Sequence, residues 1–348
     1  MAVLQAADIP DLVTTTLRGL GRMKFTSLAN RIQNYPGFKN LIRKERVKFE
    51  DGYEAQWNVL NDHSNGARHI GLWAVDDVNV VDGMLNARVP YRHSVTAYAY
   101  EEHEITFNAG AAKIVDLLKV RRYMAMQALA ELIETAVWSL VAATDTTTPY
   151  GIPYYVVYNA TTGHNGAAPT GYTTVANLSP TTYGRWKNWT AQYTTVSKAD
   201  LISLIRQAAR ETNFMPPVDY PGYGSGSGYG YYLNGDTLQS LESILEAQND
   251  NLGDAIDPKD GKAILRRVKL EWVPKLDSGT PATADPFYGI CWDDMGFRIP
   301  PGWFMKETGP KVSPKQHNVQ EVFVDLSWAL INYDRRSQFV IAKSDPSA

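Results

Sequence analysis

Cysteine is almost absent from this chain. Cys291 stands alone among 348 residues, which excludes an internal disulfide and any cysteine-built metal cluster, and suits a protein made in a reducing cytoplasm. No apolar run approaches the roughly 20 residues needed to cross a bilayer. The opening MAVLQAADIPDLV has neither the basic start nor the apolar block of a secretory signal. Phosphate-cradle motifs are lacking too. Gly222, Gly224, Gly226, Gly228 and Gly230 fall at every second position, so no G-x-G-x-x-G can be drawn through them, and no Gly-Lys-Ser/Thr follows. They read as a surface loop. Of six histidines only His63 and His69 are close, on a turn-rich stretch without metal-helix spacing. There is no G-x-S-x-G elbow, and Cys291 lies in no nucleophile motif. Glu101-Glu102-His103-Glu104 is crowded, but on an extended ribbon neighbouring side chains point to opposite faces. These absences predict a protein without a catalytic, cofactor or metal site.

Charge is segregated. Residues 1–50 carry nine Lys/Arg against four Asp/Glu, while residues 51–104 carry three Arg against nine Asp/Glu. Two such neighbours can fold onto each other or meet in an adjacent copy, although charge alone favours reading both as solvated faces. Residues 135–184 hold a single acid, Asp145, and no Lys or Arg. This Thr-, Tyr- and Gly-rich stretch is expected to be in part an interface. With 44% hydrophobic and 20% charged residues the chain is a folder, not a disordered one, and its length favours two or more lobes.

The first fifty residues read as an arm that packs against something else. From Tyr53 a two-residue alternation begins, with Tyr53, Ala55, Trp57 and Val59 on one face of a strand. A second extended run is expected over 87–106, and the turn signals Asn65-Gly66 and Asp82-Gly83 between the runs make a long hairpin. Residues 111–143, free of Gly and Pro, predict a helix of roughly 50 Å with Leu118, Ala125, Leu129, Leu132, Ala136 and Leu140 as its buried stripe. A strand is expected at 152–158. Ser197-Lys-Ala-Asp200 reads as a capping box that starts a helix with Leu201, Leu204, Ile205 and Ala208 buried. Strand 231–233, helix 237–248 and strand 264–273 suggest a compact α/β lobe. The strand 321–333, with Val322, Val324, Leu326, Trp328 and Leu330 on one face, is expected to turn at Asp334-Arg335-Arg336-Ser337 into a hairpin with 339–342.

GIPYYVV (151–157), RWKNWTAQYTTVSKADL (185–201), LEAQNDNLG (245–253), RRVKLEWVPKLD (266–277) and KETGPKVSPKQHNVQEVFVDLSWALINYDRR (306–336) resemble, in order, one group of tailed-phage major capsid proteins. The resemblance implies the Hong Kong 97-type phage capsid fold, an α+β architecture with an N-arm, an extended β-hairpin loop, a peripheral domain on a long spine helix, and an axial α/β domain. On that template residues 1–50 are the arm and 51–106 the loop. Residues 107–195 are the peripheral domain with spine helix 111–143, 196–300 the axial domain, and 301–348 the closing strands of the peripheral domain. It also implies a non-enzymatic subunit that assembles into hexamers and pentamers of an icosahedral shell around phage double-stranded DNA. Such a shell belongs to a virion built in the bacterial cytoplasm. The partners implied are further copies of the chain, a portal protein and a separate scaffold or cement protein, with DNA contacted nonspecifically and no membrane.

Two departures stand out. No long helical scaffold segment precedes the arm, and no lysine lies between Lys48 and Lys113, so an isopeptide crosslink from a loop lysine is excluded. The acidic loop is expected to lie over a neighbouring subunit, with Trp57 and Trp73 as anchors and Arg68 and Arg92 as ion-pairing cations. The basic arm residues Arg18, Arg22, Lys24, Arg43, Lys44 and Arg46 are expected to dock on acidic protein surface more than on DNA. Two rivals remain: an encapsulin-type compartment shell of the same fold, and an α/β enzyme using residues 196–300. The first would hold a cargo in place of DNA, and the second needs a pocket of convergent polar groups.

Overall fold

The computed structural model describes residues 35–43, 46–61, 69, 72, 83–107, 117–214, 228–250, 264–266 and 268–347. Its longest strand, β13 (Val319–Asn332), buries Val322, Val324, Leu326, Trp328 and Leu330 as the alternation predicts. On one side it pairs antiparallel with β4 (Arg92–Glu101), from Val319 opposite Glu101 to Trp328 opposite Arg92. On the other side β12 (Lys306–Val312) takes its first half and β11 (Met295–Ile299) its second. Strand β1 (Val47–Phe49) adds to β11 in parallel, completing a five-stranded sheet.

Helix α3 (Leu117–Trp138) packs against this sheet. Arg121 donates to both carboxylate oxygens of Glu104, at 2.6 and 3.0 Å, and to the Ala99 carbonyl. Burial would raise the Glu104 pKa, but the Arg121 guanidinium outweighs it and holds the carboxyl below its ordinary value. Arg122 reaches Glu307 on β12 at 2.7 Å. The helix is shorter than expected: it ends at Trp138, and residues 108–116 lie outside the described ones. Its buried face is Ala125, Leu129, Ile133, Ala136 and Val137. Leu132 is exposed, a correction to the expected stripe, because Ile133 occupies the inward position. Gly151 closes on the last turn so tightly that a Cβ there would sit 2.3 Å from the Ala136 carbonyl.

The expected second run of the hairpin is three elements: β3 (Met84–Pro90), β4, and helix α2 (Glu102–Phe107). Only β3 pairs with β2 (Glu54–Leu60) as a hairpin. After Pro90 the chain leaves the hairpin for the sheet. Glu102, His103 and Glu104 therefore lie on a helical turn and not on a ribbon. The short helix α1 (Pro36–Leu41) rests on α3, where the Glu134 carboxylate accepts from Gly37 N–H (3.1 Å), Phe38 N–H (2.6 Å) and Trp138 Nε1 (2.7 Å).

A second, seven-stranded sheet runs in the order β5 (Gly163–Gly166), β6 (Asn188–Gln192), β14 (Phe339–Ala342), β10 (Phe287–Cys291), β7 (Tyr229–Leu233), β9 (Val268–Trp272), β8 (Ile264–Leu265). One face meets α5 (Leu201–Glu211) and α6 (Gly235–Asp250) through Tyr231, Leu233, Phe287, Phe339 and Ile341. The other meets the core around α3, with Trp138 against Tyr232 and Tyr288. Because both faces are covered, β10 and β14 read as continuous apolar runs. Helix α5 starts at Leu201, later than the capping box implied. Ser197 Oγ does accept from Asp200 N–H (3.1 Å), but the Asp200 carboxylate turns back to Thr194 and Thr195 N–H. The expected strand 264–273 breaks at Arg266, whose φ is 50°.

Two expectations fail together at Arg335. Residues 152–158 are not a strand: Pro153 sits in the first turn of a short helix, α4 (Ile152–Tyr155). Likewise 339–342 does not fold back on β13 but enters the other sheet, between β6 and β10. The cause is the fully buried Arg335 in the turn between them. Its guanidinium donates to the carbonyls of Tyr155 (2.8 Å), Trp186 (2.8 Å), Gly166 (3.1 Å) and Ala167 (2.7 Å), and to Asn188 Oδ1 (3.3 Å). Burial pushes its pKa down to about 9, opposed by the neighbouring Tyr154 and Tyr155. The charge-poor stretch is thus wrapped around one cation, and Ile152–Val157 is core, not interface. The expected divisions at 195 and 300 also do not follow the sheets, since β11 joins the five-stranded sheet while β5, β6 and β14 join the seven-stranded one.

Candidate assembly surfaces

The β2–β3 hairpin forms its own two-stranded sheet, paired from Glu54 opposite Pro90 to Leu60 opposite Met84. Its base is anchored by Ala55, Trp57, Ala87 and Val89, all buried in the main core, and by Arg88 N–H donating to the Ala176 carbonyl at 3.1 Å. Its outer end is different. Leu60 is 72% exposed, Met84 61% and Leu72, on the loop between the strands, 94%. Large apolar side chains left in water at the end of a supported projection mark an interaction surface.

Trp57 is only 6% exposed and packs within its own subunit, so its ring is not presented to a neighbour as expected. Its inward place follows from the alternation that also buries Ala55. Trp73 and Arg68 lie outside the described residues. Arg92 is buried rather than displayed: its guanidinium stacks over the Tyr150 ring at 5.5 Å, with Nε and Nη1 without a partner among the described residues. Of the basic arm, Arg18, Arg22, Lys24 and Lys44 lie outside the described residues. Arg46 is buried; it donates to the Asn40 carbonyl (2.8 Å), stacks on Trp292 (5.6 Å) and approaches Asp293 (3.7 Å). It does meet an acid, but one in its own chain. Arg43 is half-buried, and its carbonyl accepts from Arg46 and Val47 N–H. Leu60 and Met84 were missed by sequence reasoning, though they left a signal: each interrupts the otherwise polar outer side of its strand.

A second group of exposed aromatic side chains lies at the five-stranded sheet, around β1, β4 and the segment before β12. There Phe49 packs edge-on to Phe304, His93 edge-on to Trp303, and the Lys306 ammonium sits 4.7 Å from the Trp303 ring centre. Phe49, Val95, Trp303 and Phe304 are all exposed.

Chemistry is sparse. Among the described residues no group of three His, Cys, Asp or Glu is placed to hold a metal, and no helix is long and apolar enough to cross a membrane. A cleft between the hairpin and the Arg335 turn is lined by Asn58, Asn61, Arg185, Trp186 and Arg336, with Asp334 its one carboxylate. Cys291 is buried, and burial pushes its thiol up to about 12, which keeps it protonated and unreactive.

No protein-family model matches the sequence, and no curated protein matches it. Solved structures do. The chain is similar to the subunit in the cyanophage A-1(L) capsid asymmetric unit, at 13% identity and TM-score 0.64, over 92% of this chain and 96% of that one. It is similar to the capsid of the Myoviridae phage XM1 (12%, 0.54, covering 99% of each) and to the cyanophage Pam1 capsid asymmetric unit (14%, 0.52, covering 96% and 99%). The chain therefore has the mixed α and β, Hong Kong 97-type capsid fold that the C-terminal words implied.

Proposed function

We infer that this chain is the major capsid protein of a tailed phage, assembling into hexamers and pentamers of an icosahedral shell around double-stranded DNA. The observation that carries this is the likeness, over nearly the whole chain, to subunits that build phage capsids. The five-stranded sheet with α3 serves as the peripheral domain and the seven-stranded sheet as the axial domain at the capsomer centre. The hairpin lies over a neighbouring subunit, burying Leu60 and Met84 there, and Arg68 and Trp73, from the segment between its strands, add contacts to the same neighbour. Many weak contacts sum to a stable shell. Arg18, Arg22, Lys24 and Lys44 dock on acidic protein or meet DNA phosphates without reading sequence. The remaining partners are a portal and a separate scaffold or cement protein, assembly takes place in the host cytoplasm, and the subunit performs no catalysis.

Electron microscopy of the expressed chain tests this. Closed icosahedral particles are expected. The N–H of Asn61 already donates to the Gly83 carbonyl at 2.9 Å, so joining these two residues deletes 62–82 without straining the strands. That variant is expected to be soluble, folded and unable to close shells, and wild-type shell yield would overturn the hairpin's role. Particles from the native host that contain a protein cargo and no DNA would favour the compartment reading.

A further inference from the structure

Two unlike surfaces lie at opposite ends of β2. Before the strand, residues 50–54 make an acidic turn in which Gly52 has φ 119° and Tyr53 stands 85% exposed. Glu50, Asp51 and Glu54 line one hollow beside it. Glu50 is held by Arg298 at 3.1 Å, and Glu54 lies 3.9 Å from Arg88. Asp51 is exposed and makes no hydrogen bond or ion pair among the described residues. At the far end of the strand opens the cleft of about 660 Å³, to which the hairpin contributes Asn58 and Leu60 and the body Arg185, Trp186 and Arg336. Arg336 is exposed, and its guanidinium makes no hydrogen bond or ion pair among the described residues. Asp334, the one carboxylate here, accepts from the Arg336 backbone N–H at 2.8 Å. Two guanidiniums against one carboxylate give the cleft a sign opposite to that of the turn.

Within one subunit the two do not meet. Tyr53 and Asn58 are about 16 Å apart along an extended strand, and pairing with β3 from Glu54 to Leu60 holds β2 extended. Unlike but complementary surfaces on identical chains make a head-to-tail contact, which closes into a ring when the rotation allows. We propose that the acidic turn 50–54 of one copy seats in the cleft of the next. Asp51 then pairs with Arg336, and the Tyr53 ring covers Leu60, which is 72% exposed in the single chain. Tyrosine and arginine are the side chains that most often carry interface energy, and the opposed charges set the register. The pairing rests on the shell reading above and gives the end of the hairpin its partner surface.

Exchange of the two charges tests it in the full-length chain. Asp51→Arg and Arg336→Glu should each lower the yield of closed shells, counted by electron microscopy, at least about tenfold, because like charges then face each other. The double variant carries the exchanged pair at every contact and should recover at least about half of the wild-type yield. Normal shells from either single variant, or no recovery in the double, would overturn the pairing while wild-type shells leave the capsid reading standing. Absence of shells from the wild type would overturn both. Tyr53→Cys with Asn58→Cys gives a second readout that needs no charge change. A disulfide requires Cα atoms within about 7 Å, so these two cannot bridge inside one chain, and Cys291 is buried and protonated. Oxidised particles should run as a disulfide-linked ladder on a non-reducing gel, and monomers alone would overturn the proposal.

Discussion

The seven-stranded sheet is covered on both faces. Tyr232, Tyr288, Ile290 and Val340 meet the core around α3, while Tyr231, Phe287, Phe339 and Ile341 meet α5. The five-stranded sheet is only partly covered: the second half of β13 is buried on both faces, through Ser327, Ala329 and Ile331 as well as the even positions, while the first half is buried at its even positions alone. Along it Phe49, Val95, Trp303 and Phe304 remain exposed, as do Leu60 and Met84 on the hairpin. One sheet is complete within a single chain. The other has apolar area left over, which suits a subunit whose final state contains many chains. On the proposed function, the division separates what stabilises the fold from what would drive assembly.

The strongest way to break that comparison is at the joint. Arg335→Ala would remove the buried cation from four carbonyls, while the Asn188 amide oxygen keeps the Val157 N–H at 2.9 Å, so a loss of about 4 kcal/mol or more is expected. Chemical denaturation of the unassembled subunit measures it, and a loss under about 1 kcal/mol would mean the sheets hold together without the arginine. Next, Gly289→Ala puts a Cβ 2.2 Å from the Phe339 ring inside the closed sheet. It is expected to cost about 1–3 kcal/mol, partly recovered by adding Phe339→Leu. Failure of the second change to recover stability would show that the sheet is not packed as tightly as β10 and β14 imply. The smallest expected effect on stability is at the open surface. Leu60→Asp with Met84→Asp should change unfolding by no more than about 0.5 kcal/mol yet abolish shells seen by microscopy. A large loss of stability, or normal shells, would erase the distinction between the two regions.

Legibility followed the range of the interactions involved. The alternation in β13 and β2, the helix of α3 and the apolar side of α5 were readable because each is a local period set by side chains a few residues apart. Leu60 and Met84 were readable in principle as apolar breaks in a polar face, and Phe49, Trp303 and Phe304 were not, since they come together only when β1 and β12 reach one sheet. Trp57 lies on the hairpin as expected, whereas Arg92, expected on the loop, lies on β4 of the five-stranded sheet, and the burial of both depended on what the hairpin base and that strand pack against.

By itself, the sequence determined the α+β class, the absence of disulfide and cysteine-metal chemistry, and the long strand and helix at the centre. Tertiary structure alone decided that residues 339–342 cross to the other sheet, that 152–155 coil into a helix, and that the charge-poor stretch closes around Arg335. The physical reason is that a buried guanidinium must find carbonyl acceptors wherever the fold supplies them. Its partners at 155, 166, 167, 186 and 188 lie roughly 150 to 180 residues away, beyond the reach of any local pattern.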